Sequence, residues 1–99
     1  MSPELMYRLL LGDVALQRGE PALAARAYLE AARETRDPTL ARRATEIAVG
    51  ARARALSIES ARLWSEIDPA AQRPKQLIAA LAGSAGTKGF DSPGVGNDL

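Results

Sequence analysis

The 99-residue sequence contains neither cysteine nor histidine. Without cysteine there is no disulfide framework and no thiolate site; without histidine the commonest metal ligand and acid–base group is missing. Both absences argue against catalysis, and no cofactor is expected. Only four aromatic residues are present, two Tyr, one Trp and one Phe, so a sheet core rich in aromatic and β-branched side chains is not favoured. No apolar run approaches the roughly 20 residues of a membrane span, and the opening Met-Ser-Pro-Glu lacks the basic start and unbroken apolar segment of a secretion signal. A cytoplasmic location is the resulting expectation.

Alanine and leucine dominate what remains, which favours slim helices in close contact and an all-α class. Ser2-Pro3, Asp37-Pro38 and Asp68-Pro69 each put a capping side chain before a proline suited to a first helical turn. Arg18-Gly19-Glu20-Pro21 ends one helix and starts another. Five helices follow, at about 3–18, 21–36, 38–51, 55–67 and 72–82, the last requiring Pro74 in its first turn. From Gly83 the chain is rich in glycine and serine with little apolar surface, so 83–99 reads as a disordered tail to a domain spanning 1–82.

Small and aromatic residues at Gly12, Ala24, Tyr28 and Ala31 read as one interlocked helical hairpin. Gly12 and Ala24 would let two helices touch almost backbone to backbone, with Tyr28 filling the space toward the next helix. With Leu5 as first position, Leu11-Gly12, the turn Gly19, and Ala24, Tyr28 and Ala31 resemble the tetratricopeptide repeat family; Arg8 and Arg36 depart from it. A second, weaker repeat carries Ile47-Ala48, Ser57, Ala61, Trp64 and Pro69, and Ile78-Ala79 would open a third, leaving a lone capping helix. The resemblance implies antiparallel hairpins stacked as a short right-handed α-α superhelix, about two and a half repeats long. It also implies a non-catalytic scaffold that binds a partner peptide or helix in a helix-lined groove.

Groove positions implied by the family are Met6, Leu9, Asp13 and Leu16 on the first helix and Arg42, Thr45, Val49 and Arg52 on the third. The first helix is apolar on nearly every side: Tyr7, Leu11, Val14 and Ala15 face one way, Leu5, Met6, Leu9 and Leu16 another. One side is needed by the hairpin, and the second, expected to be Leu5, Met6, Leu9 and Leu16, calls for a partner, a second copy of the chain, or the fifth helix or tail folded back over it. Residues 39–82 carry seven basic and four acidic side chains, a local +3 that includes Arg42, Arg43, Arg52 and Arg54. Paired arginines suit acidic side chains or a carboxylate. Nucleic acid is disfavoured as a partner, because no aromatic residues interleave the arginines for base stacking.

Overall fold

The computed structural model describes residues 2–86, which form five α-helices: α1 Pro3–Gln17, α2 Pro21–Thr35, α3 Pro38–Gly50, α4 Arg54–Ile67 and α5 Arg73–Gly86. Ser2 caps α1 by accepting from the Leu5 amide at 3.1 Å, and Asp37 caps α3 by accepting from the Thr39 amide at 2.9 Å. Asp68 instead lies at the C-terminal end of α4, where its amide donates to the Trp64 carbonyl. Pro69 sits in an exposed turn, and α5 begins only at Arg73 with the buried Pro74 in its first turn. The expected tail boundary at Gly83 moves, because α5 continues four residues to Gly86; adding residues to an existing helix costs far less than nucleating one. The expectation for 87–99 lies outside the described residues.

Successive helices pack in order, α1 on α2, α2 on α3, α3 on α4 and α4 on α5, and α2 also meets α4. The Cα envelope measures 56 × 33 × 15 Å. Its 15 Å thickness is what two helix layers occupy at an interaxial spacing of about 8–10 Å, given a Cα radius of about 2.3 Å. The core lies in the middle: Tyr28 and Leu29 of α2, Ala41, Ala44 and Ala48 of α3, and Leu56, Leu63 and Trp64 of α4. Alanines at the α2–α3 contact let those two axes approach, and Trp64 supplies the bulk on the α4 side. α1 and α5 stand at opposite ends, each packed on a single neighbour.

Two helices end alike. At α1, the Glu20 amide donates to Ala15 O and the Gly19 amide to Leu16 O, and Gly19 adopts φ 74°. This six-to-one and five-to-two pairing is the Schellman termination, whose left-handed residue is ordinarily glycine. At α3, Ala53 donates to Ala48 O and Arg52 to Val49 O, so Arg52 holds the left-handed position with φ 59°. An arginine there carries a steric cost that Gly19 avoids.

The hairpin between α1 and α2 is closed by a contact other than the expected one. A Cβ built on Gly12 would lie 2.9 Å from Tyr28 Cε2 and 3.1 Å from Cδ2, with Ala27 Cβ next at 3.5 Å. Gly12 therefore makes room for the Tyr28 ring, whereas Ala24, although fully buried, is not its nearest neighbour. Tyr28 reaches back onto α1 as well as forward into the core.

Candidate functional site

The Schellman end of α3 shapes a depression on the molecule's surface. Arg52 turns the chain sharply enough for α4 to start at Arg54, and a cleft of about 350 Å³ opens between the α3 end, α4 and α5. Val49, Arg52, Arg54, Ser57 and Leu81 line it. Arg52 and Arg54 are exposed, while Ser57 is buried and donates to the Ala53 carbonyl at 2.8 Å. The result is an apolar floor, Val49 and Leu81, beside two guanidinium groups.

Of the four expected groove residues on α3 and just past its end, Val49 and Arg52 line this cleft and Arg42 is exposed on α3. Thr45 is a correction: it is fully buried, and its hydroxyl donates to the Ala41 carbonyl at 2.8 Å, so it presents no surface to a partner. Arg54, named with Arg52 in the arginine cluster, lines the cleft as well. Ser57 and Leu81 were missed because they come from α4 and α5, and their meeting depends on how α5 docks.

On α1 the expected partner surface is divided. Leu5 is buried, Leu9 packs against the central core, and Leu16 is half-buried, so these three belong to the hairpin interior; Met6 alone of that group is exposed. The physical reason lies in the helical arc. At about 100° per residue, Leu5, Leu9 and Leu16 flank Gly12, and the side bearing Gly12 is the side pressed against Tyr28. The exposed apolar surface is the reverse one: Met6, Tyr7, Leu10, Leu11 and Val14, continued by Leu23 of α2.

Asp13, another expected partner contact, is engaged within the fold. It accepts a hydrogen bond from the Tyr28 hydroxyl, and the Arg43 guanidinium lies 5.1 Å from the centroid of the same ring. Three helices thus meet through one side chain of each. Burial, reinforced by the Asp13 carboxylate and opposed by Arg43, pushes the Tyr28 phenol above its ordinary value; contact with Tyr28 raises the Arg43 guanidinium in turn. Both shifts keep Tyr28 neutral and Arg43 charged.

Other arginines are committed to glutamates. Arg8 pairs with Glu34 between α1 and α2, Arg33 with Glu59 and Arg36 with Glu66 between α2 and α4. Each pair is well exposed and contributes no more than about 1 kcal/mol. Their effect is to leave the α2–α4 face charge-balanced, in contrast to the two guanidiniums of the cleft. Among the described residues no cluster of three acidic side chains could hold a metal ion, and no helix is long and apolar enough to cross a membrane. No protein-family model and no curated protein matches this chain.

Proposed function

We propose that this chain is a non-catalytic protein-binding module that receives a short acidic segment of a partner protein, with at least one apolar side chain, in the cleft beside α5. One observation carries the reading: Arg52 and Arg54 flank a 350 Å³ depression floored by Val49 and Leu81. Guanidinium groups favour carboxylates through bidentate, charge-assisted hydrogen bonds, and an apolar floor gains by burying a leucine- or isoleucine-sized group. The sequential packing of helices in two layers is compatible with the short tetratricopeptide-like superhelix that the Gly12, Gly19, Ala24, Tyr28 and Ala31 pattern resembles. On that arrangement Val49 and Arg52 hold groove positions.

An array of ten-residue peptides combining aspartate or glutamate with leucine or isoleucine, tested beside copies with lysine in place of the acids, examines the proposal. The best acidic peptide should shift the backbone NMR signals of Val49, Arg52, Arg54, Ser57 and Leu81, and the lysine copies should not. Arg52→Glu with Arg54→Glu should weaken binding by at least about tenfold while leaving helix content unchanged. Shifts centred on another face, or equal binding of acidic and basic peptides, would exclude the cleft.

A further inference from the structure

Among the described residues, the reverse side of α1 is unlike any other helix face. Met6, Tyr7, Leu10, Leu11 and Val14, with Leu23 beside them on α2, stand 38 to 65% exposed. Tyr7, Leu10 and Val14 follow one another at steps of three and four, the spacing of a helix–helix seam, and Met6 and Leu11 flank them. The opposite side of α1 is already filled by the hairpin, so covering this surface needs no rearrangement of the core.

We infer that this face pairs with the same face of a second copy, α1 against α1 in antiparallel orientation about a twofold axis passing between Leu10 and Leu11. Three features select this occupant. The first is self-complementarity: with that axis Tyr7 of each copy lies opposite Val14 of the other, and Leu10 opposite Leu11, so a large side chain meets a smaller one in each outer layer.

The second is charge. Glu4 stands at the amino end of α1 and Arg18 just past its carboxyl end, both exposed. Antiparallel pairing brings Glu4 of one copy beside Arg18 of the other at both ends of the seam; parallel pairing would set like charges together. The remaining charged groups of α1 are turned elsewhere, Arg8 to Glu34 and Asp13 to Tyr28.

The third is area. With about 150–220 Å² for each whole side chain, the six exposures amount to about 500–600 Å² per copy. Two copies then bury about 1,000 Å² of apolar surface before the polar rim is counted, which reaches the lower bound for specific association. A dimer with a dissociation constant in the micromolar range is expected.

Sedimentation equilibrium of the full chain from about 1 to 500 µM tests the inference. The mass should rise from one to two copies across that range. Leu10→Glu with Val14→Glu should raise the dissociation constant at least about a hundredfold with unchanged helix content, since both positions are exposed within one copy. Because the chain has no cysteine of its own, single replacements report the orientation. Leu10→Cys should form a disulfide-linked dimer on mild oxidation. Glu4→Cys alone should not, since its two copies are about 20 Å apart along the seam, but mixed with Arg18→Cys it should. A chain that stays monomeric throughout, or a dimer unaffected by Leu10→Glu with Val14→Glu, overturns the proposal. Efficient linking of Glu4→Cys to itself overturns the antiparallel arrangement.

Discussion

Replacing Gly12 with alanine sets two well-measured effects against each other. Gly12 is buried in the interior of α1, where exchanging glycine for alanine ordinarily gains about 1 kcal/mol through reduced chain entropy. The added Cβ would stand 2.9 Å from Tyr28 Cε2, well inside the roughly 3.5–4.0 Å at which two carbons attract. Tyr28 has little room to yield, because its ring is 5% exposed, its hydroxyl is held by Asp13 and Arg43 lies over its face. Overpacking of this kind costs about 1–3 kcal/mol, and displacing the hydroxyl from Asp13 adds about 1 kcal/mol more.

Gly12→Ala should therefore be net destabilising by about 1–3 kcal/mol, a fall in melting temperature of roughly 5–15 °C for a chain of this size. Urea titration followed by helical circular dichroism measures it. The same substitution in a Tyr28→Leu background isolates the cause: with the ring gone, alanine should recover its helical advantage and stabilise by about 1 kcal/mol. The reasoning fails if Gly12→Ala stabilises the parent chain, or costs the same in both backgrounds.

Tyr28→Phe should cost about 1 kcal/mol near neutral pH, by urea titration, through loss of the bond to Asp13. The parent should also weaken as pH rises above about 10, because the phenol titrates higher folded than unfolded, so the unfolded chain releases its proton first and the stabilisation present below pH 10 is lost; Tyr28→Phe should lack this component. Ser60→Ala should be neutral or stabilising by up to about 1 kcal/mol in the same assay, because the Ser60 hydroxyl is buried without a hydrogen-bond partner; a clear loss of stability would contradict that environment. Arg52→Gly should stabilise by about 1 kcal/mol by relieving the left-handed arginine while weakening an acidic peptide in the cleft, and a variant that loses stability would show that the Arg52 side chain holds the turn together.

Local chemistry made much of the fold legible. Ser2-Pro3 and Asp37-Pro38 announce helix starts because a side-chain oxygen can satisfy amides that the helix leaves free, and Gly19 announces an end because only glycine enters the left-handed region without strain. Arg52 occupies the same backbone position with no such signature in its residue type, so the short link between α3 and α4 was legible from the helix pattern but its left-handed geometry was not. Periodicity showed that α1 is apolar all round but did not say which side faces inward. The usable signal was Gly12: a residue without a side chain marks where another helix comes closest, so Leu5, Leu9 and Leu16 on its side go inside and Tyr7, Leu10 and Val14 stay out. The cleft was partly legible, because Val49, Arg52 and Arg54 stand close together in the sequence whereas Ser57 and Leu81 join them only through tertiary packing.

The two proposed surfaces lie toward opposite ends of the array, since α1 packs only on α2 and α5 only on α4. Pairing through α1 would leave both clefts uncovered, separated by a distance on the order of the 56 Å long axis. A fully extended chain advances about 3.3–3.6 Å per residue, so one partner chain could reach both clefts only if its two acidic segments were at least about 17 residues apart. A peptide with two such segments on a longer flexible spacer would bind the dimer more tightly than a single segment, through effective concentration rather than new contacts. Leu10→Glu with Val14→Glu should abolish that gain while leaving single-segment affinity unchanged, whereas Arg52→Glu with Arg54→Glu should remove both. If the first double variant also weakened the single segment, the α1 face and the cleft would not be independent surfaces.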